Sequence, residues 1–256
     1  MAILYTPVSM HVFVILPAAG IGTRMSQGSS KATPKQFLSI GGVPVLVHCL
    51  RAFVAVKRVE AVYVAVRRTE IQRVTALVAE FGLGKPGAGK VHVVEGGENR
   101  QQSVSNALTK LISHSACGHD DVVLVHDAAR PLIDPATIER TIDAVVEHGA
   151  AIVGLPAVDT IKQVERTARG AIVTATIPRE RIVQAQTPQG ARCKLLKRAF
   201  TEAEADEFAG TDEASLLERS GCVVAVVPGS PRNFKITQPG DIELAEYYLG
   251  QHERKA

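Results

Sequence analysis

The sequence has no tryptophan and only seven Phe and four Tyr in 256 residues, so aromatic side chains make up 4% of the chain. A platform for single-stranded nucleic acid needs stacking surfaces at regular intervals, and this composition does not supply them. An excess of either charge is also missing: 29 Lys and Arg against 26 Asp and Glu leave +3, so any anion-binding site has to be local. The four cysteines, Cys49, Cys117, Cys193 and Cys222, stand far apart, without a C-x-x-C pair or a Cys/His cluster. That spacing excludes a disulfide scaffold and suggests neither a zinc site nor a redox pair. Residues 1–23 carry no Asp, Glu, Lys or Arg, yet Pro7, Ser9, His11 and Pro17 interrupt them and no basic stretch precedes them. They read as a short tail before a buried strand, not as a membrane span or a signal, with Met10 as an alternative start and the cytoplasm as the expected compartment.

What is present is an ordinary globular balance, 46% hydrophobic and 21% charged. Short apolar, β-branched runs lie at His11–Leu16, Ala61–Val66, Val91–Glu95, Val122–Val125, Ala151–Leu155 and Cys222–Val227. Between them Ile71, Val74, Leu77, Val78 and Phe81 keep helical spacing, as do Val104, Leu108, Leu111 and Ile112. Asp134-Pro135, then Ile138, Ile142, Val145 and Val146, then Gly149, spell a capped helix with proline in its first turn and a glycine stop. A last helix is expected over Asp241–Leu249. Strands alternating with helices imply an α/β fold with a mostly parallel sheet. One segment breaks the rhythm: Thr160–Val164 and Ala171–Ile177 read as the strands of a hairpin around a turn at Glu165–Gly170. Such an arm has little of its own to bury against, so it either pairs with a second subunit or packs on its own domain edge. With no repeat and no linker, the expectation is one domain over 1–256 with an arm inserted at about 158–186.

Three loops carry residues suited to phosphate chemistry, and a fourth only imitates one. Pro17-Ala18-Ala19-Gly20-Ile21-Gly22-Thr23-Arg24-Met25 follows the first strand, and its small residues let the backbone approach a ligand closely. Met25 stands where a dinucleotide fingerprint needs its third glycine, which disfavours an NAD-dependent Rossmann oxidoreductase. Arg24, Lys31 and Lys35 follow, and cations beside a glycine-rich turn suit a polyphosphate. Gly84–Lys90 has the spacing of a P-loop, but Val91 replaces its Ser/Thr and the segment follows a helix, so it reads as a surface loop. Gly96–Ser103 sits at a strand end and opens a helix, where its glycines, Arg100 and Ser103 can reach a nucleotide. In Val125–Pro131, Asp127 can hold a divalent metal or a sugar hydroxyl, Arg130 can pair with that carboxylate or with a phosphate, and His126 reads as packed.

These stretches form an ordered series: P-A-A-G-x-G-x-R-M, P-K-Q, G-G-x-x-R-x-x-S, H-D-A-A-R-P, D-T-x-K, Q-T-P-Q, T-D-E-A-S and N-x-K-I-T-x-P-x-D. From about Phe13 to Leu249 the chain resembles the nucleotidyltransferases of isoprenoid-precursor synthesis, specifically the 2-C-methyl-D-erythritol 4-phosphate cytidylyltransferase family. The resemblance implies a Rossmann-like three-layer αβα fold of the nucleotide-diphospho-sugar transferase type, with a β-arm for dimerisation. It implies transfer of CMP from CTP to methylerythritol phosphate with release of pyrophosphate. Ala18, Ala19, Gly20, Gly22, Gly97, Glu98 and Ser103 would line the CTP site, and Arg24 and Lys35 would stabilise the charge at the α-phosphorus. Lys235 and Arg179 would hold substrate phosphate, and Asp127, Arg130, Thr160 and Thr187 would position the sugar phosphate, with Thr160 and Arg179 supplied by a neighbouring subunit. Mg2+ or another divalent cation is expected, carried on the CTP phosphates, with Asp127 as a candidate ligand. The partners implied are the two substrates and a second copy of the chain, with no nucleic acid and no membrane. The loop Ser26–Thr33 is longer than the family's usual one, and the nearest rival substrate is ribitol 5-phosphate.

Overall fold

The computed structural model describes residues 10–20, 34–84, 90–114 and 117–253. Gly22, Arg24, Lys31 and most of the Gly84–Lys90 loop lie outside the described residues. In chain order the strands are β1 (Val12–Pro17), β2 (Ser39–Ile40), β3 (Val43–Pro44), β4 (Val59–Val66), β5 (Val91–Glu95), β6 (Val122–Val125), β7 (Ala150–Pro156), β8 (Ile161–Thr167), β9 (Gly170–Ile177), β10 (Val183–Arg192) and β11 (Ala225–Pro228). The α-helices are α1 (Val45–Val54), α2 (Ile71–Glu80), α3 (Arg100–His114), α4 (Pro135–His148), α5 (Cys193–Ala205), α6 (Glu213–Arg219) and α7 (Gly240–Glu253).

Seven strands form one sheet in the order β11-β7-β10-β6-β1-β4-β5, in which β10 runs antiparallel to both neighbours and every other pairing is parallel. Strand periodicity shows why helices flank both faces. Val12, Val14 and Leu16 of β1 pack with Leu46, Leu50, Val74, Ile138 and Ile142 on one side. Phe13 and Ile15 pack with Val104, Leu108, Leu196 and Leu216 on the other. Alternate residues of a single strand therefore feed two cores, which makes the fold a three-layer αβα stack.

The α4 boundaries follow the local chemistry. The Asp134 carboxylate accepts from the Thr137 N–H at 2.8 Å, Pro135 fills the first turn, and Gly149 stops the helix at φ 89°. Strand β10 is not among the expected strands, because Val183–Arg192 contains three glutamines and Pro188 and has no apolar run. It nonetheless threads between β6 and β7, and Gly190 makes the close approach possible: a Cβ there would lie 2.5 Å from Leu124 and 2.9 Å from the Val123 carbonyl. The hairpin is present as a separate two-stranded sheet, β8 with β9, though its strands run past the expected turn to pair Thr167 with Gly170. Its apolar side chains have no cover in the single chain, with Val164, Ile172 and Val173 48%, 61% and 56% exposed. The segment from Val183 onward pairs with β7 in the main sheet, so the free hairpin is shorter than the stretch 158–186 assigned to it from sequence.

Candidate active site

The chain runs outward from β1 to β4 and β5, then crosses back to place β6 on the other side of β1. This reversal is the switch point at which open α/β sheets bind ligands beyond their strand C-termini. A cleft of about 320 Å³ opens there. Its wall comprises Pro17–Gly20 after β1, Gly97–Arg100 and Ser103 after β5, Asp127–Ala129 after β6, and Lys35, Gln36, Lys235 and Thr237.

Small residues shape the floor. The Ala18 N–H donates to Ala65 at 2.7 Å, while the carbonyls of Ala18 and Ala19 accept from Gln36 Nε2 at 2.7 Å and Arg67 Nε at 2.9 Å. The loop after β5 is drawn in by Ser103, whose hydroxyl accepts from the Gly97 N–H at 3.0 Å and donates to the Asn99 carbonyl at 2.8 Å. A Cβ on Gly96 would lie 3.0 Å from both Ala19 and Ser103, so glycine lets the ends of β1 and β5 come together without displacing either side chain.

Opposite this floor lies a charge cluster. Asp127 accepts from Arg100 Nε on Oδ1 at 3.0 Å and from Lys235 Nζ on Oδ2 at 2.8 Å, with Arg130 Nε at 3.8 Å. Burial alone would raise the Asp127 pKa, but the charges of Arg100, Lys235 and Arg130 outweigh it and hold the carboxyl well below the usual range. Arg100 also grips Glu213 with both terminal nitrogens, at 2.7 and 2.9 Å. Glu213 is 1% exposed, and its burial raises its pKa against the pull of Arg100. The cluster thus holds three cationic groups against two carboxylates; Lys35, donating to the carbonyls of Ile236 and Thr237 at 3.3 and 3.2 Å, and Glu98 also line the cleft, which leaves a margin of one positive charge. The net positive field suits a polyanion.

Several expected residues stand behind the cleft. Thr187 is buried; its hydroxyl accepts from the Asp127 N–H at 3.1 Å and meets His126 Nδ1 at 3.0 Å. His126 Nε2 faces the Arg130 carbonyl at 3.0 Å, and burial pushes the imidazole pKa down to about 4, so the ring is a neutral strut. Arg130 donates to the Asn233 carbonyl at 2.8 Å, and Asn233 Nδ2 donates to the Thr187 carbonyl at 2.7 Å. Thr160 and Arg179 are exposed at the base of the hairpin, just outside its two strands, where Arg179 donates to the Val158 carbonyl at 2.7 Å. Neither belongs to the cleft wall of the single chain. Sequence reading passes over Gln36 and Glu213 as individual residues, though both stand inside the motifs P-K-Q and T-D-E-A-S. Among the described residues no group of three or more His, Cys, Asp and Glu is gathered to hold a metal, and no helix is long and apolar enough to cross a membrane.

The model of the family "IspD: 2-C-methyl-D-erythritol 4-phosphate cytidylyltransferase" matches residues 12–251. The chain belongs to this family. A relative of that name from Acidobacterium capsulatum is 66% identical over 247 residues, spanning 96% of this chain and all of the relative. Another from Solibacter usitatus is 48% identical over 96% of this chain and 99% of its own. Among solved structures, the cytidylyltransferase of Francisella tularensis is similar with a TM-score of 0.74 at 32% identity, covering 93% of this chain and 99% of that one. The cytidylyltransferase of Thermus thermophilus is similar with a TM-score of 0.70 at 32% identity, over 93% and 98%. The family is one of nucleotidyltransferases, and the fold seen here is theirs.

Proposed function

We propose that the chain transfers CMP from CTP to 2-C-methyl-D-erythritol 4-phosphate, releasing pyrophosphate. The observation that carries this reading is the cation-rich cleft at the β1/β6 switch point, in a chain that matches this family over nearly its whole length. The sugar phosphate, already ionised near neutral pH, attacks the α-phosphorus in line, so the reaction needs alignment and charge stabilisation more than a base. Ala18, Ala19, Gly20 and Gly97, with Glu98 and Ser103, form the nucleotide half, and Gly22 belongs with them by sequence. Lys35 and, by sequence, Arg24 stabilise the charge that builds on the α-phosphate and the leaving pyrophosphate.

Asp127 and Lys235 face the sugar-phosphate half, braced from behind by Arg130 and Thr187. Thr160 and Arg179 act on a neighbouring copy through the hairpin, whose uncovered Ile172 and Val173 suit a subunit contact. The residues of the cleft fit a divalent cation that arrives on the triphosphate: both Asp127 oxygens already accept from cations, which leaves no pre-built cage among the described residues. Mg2+ held by the phosphates would neutralise the triphosphate without drawing Asp127 away from Arg100 and Lys235. Pyrophosphate release from CTP, measured with methylerythritol phosphate and with ribitol 5-phosphate, tests the proposal. Faster release with the first supports it, and faster release with the second refutes the substrate assignment.

A further inference from the structure

Resting on that reading, the structure assigns Glu213 a positioning role: by occupying both terminal nitrogens of Arg100, it leaves only Nε for Asp127 and so keeps the second Asp127 oxygen available to Lys235 and to a substrate hydroxyl. Glu213 is 1% exposed and is not part of the cleft wall, whereas Arg100 is. A guanidinium beside a lone carboxylate takes it through two parallel N–H···O bonds. Here that fork is committed to Glu213, at 2.7 and 2.9 Å, and Asp127 receives the side nitrogen alone, at 3.0 Å.

The position of Glu213 is itself fixed by two of the motifs. Glu213 is the first residue of α6, whose N-cap Asp212 accepts from the Ser215 N–H at 3.0 Å. Gln189 of β10 then clamps that helix start, donating to Asp212 Oδ2 at 2.8 Å and accepting from the Ala214 N–H at 3.0 Å. The Q-T-P-Q strand and the T-D-E-A-S turn therefore hold one carboxylate against one arginine. Without the Glu213 charge, Arg100 would turn its fork onto Asp127, and that carboxylate would close to both Lys235 and the sugar.

The experiment compares wild type, Glu213→Gln, Glu213→Asp, Arg100→Lys and the Glu213→Gln/Arg100→Lys double variant by circular dichroism, pyrophosphate-release kinetics and CTP titration calorimetry. In folded Glu213→Gln the KM for methylerythritol phosphate should rise about tenfold while CTP affinity stays within about twofold, the size of one charge-assisted contact. Glu213→Asp, one methylene short of the fork, should fall between that variant and wild type. Because a lysine cannot make the fork, Glu213→Gln should add less than about twofold to Arg100→Lys. Folded Glu213→Gln with wild-type KM, or additive effects in the double variant, overturns the role. If Glu213→Gln does not fold, Glu213→Asp decides: a raised sugar-phosphate KM with unchanged CTP affinity supports the role. A wild-type KM, or failure of both variants to fold, makes Glu213 a structural residue only. If wild type itself releases no pyrophosphate with methylerythritol phosphate, it is the functional reading that fails, and the two failures are distinct.

Discussion

Replacing Asp127 by Asn separates the two halves of the cleft. The amide keeps the shape of the carboxylate but removes the charge that Arg100, Lys235 and Arg130 share, and it turns an N–H toward one of their N–H groups. Breaking a buried ion pair from one side costs about 3–5 kcal/mol. The Lys235 side chain is 41% exposed and can swing into solvent, while Asp127 itself is 11% exposed, so solvent relieves part of that cost. A loss of about 2–3 kcal/mol is expected. At roughly 2–4 °C per kcal/mol for a chain of this size, the melting temperature should fall by about 5–10 °C. Because the folded Asp127 pKa is depressed, its stabilisation is complete above the unfolded value of about 4 and is lost progressively as pH falls from there toward the folded value, so the gap between variant and wild type should begin to narrow in acid. In kinetics, losing a charged acceptor for a substrate hydroxyl should lower kcat/KM for the sugar phosphate by about 10–100-fold. CTP should bind as well or more tightly, since one negative charge facing the triphosphate is gone. Thermal melts at about pH 7 and about pH 3.5, on either side of the unfolded carboxyl value, pyrophosphate-release kinetics and CTP calorimetry read these effects. An unchanged melting temperature together with an unchanged sugar-phosphate KM would refute the reasoning, and loss of CTP affinity alone would move Asp127 to the nucleotide half.

Lys35→Ala should leave CTP affinity within a fewfold of wild type and lower kcat by at least about 100-fold, as removal of a charge-stabilising donor does; single-turnover kinetics check this, and a wild-type kcat removes Lys35 from the chemistry. Arg179→Ala should raise the sugar-phosphate KM, and mixing it with Arg24→Ala should restore part of the activity through hybrid dimers, whereas no restoration means that each site is built within one subunit. His126→Asn should flatten stability on the acid side. The folded imidazole titrates near about 4 against about 6.5 unfolded, so as pH falls between those values the unfolded chain gains a proton that the folded one does not, and wild-type stability drops. Urea melts across that range should show a smaller slope in the variant than in wild type, the remainder including His92, whose pKa burial also lowers.

Legibility in the sequence depends on whether a segment's structure is dictated locally. β1, β6 and α4 are readable because apolar runs and a cap-to-glycine frame fix them without reference to distant residues. β10 is not, because its polar side chains become interior only through remote partners: Gln186 Nε2 donates to the Ser230 carbonyl at 3.0 Å, and Gln189 meets the start of α6. No periodicity announces a buried glutamine whose hydrogen bonds lie in another part of the chain. At the site, residues that line the cleft stand in recognisable glycine-rich and charged motifs. The division between residues that face the cleft and residues that brace it is not readable, since Thr187 and Arg130 differ from Lys235 only in where β10, the loop after β6 and the loop around Asn233 carry them.

That division also decides which cation can respond to a substrate. Arg100 makes three hydrogen bonds to two carboxylates, and moving it would leave Glu213 buried without its counter-charge, a cost of several kcal/mol. Arg130 is 12% exposed and is held to the carbonyl of Asn233. Lys235 has a side chain 41% exposed and reaches Asp127 by a single bond of 2.8 Å, so of the three cations it is released toward a phosphate at the lowest cost. Under the proposed function, a polyanion entering the cleft would therefore recruit Lys235 and leave the Arg100–Glu213 pair in place. The carboxylate that Lys235 would vacate, still fixed on one side by Arg100 Nε, would then be oriented to accept from a sugar hydroxyl as the phosphate arrives.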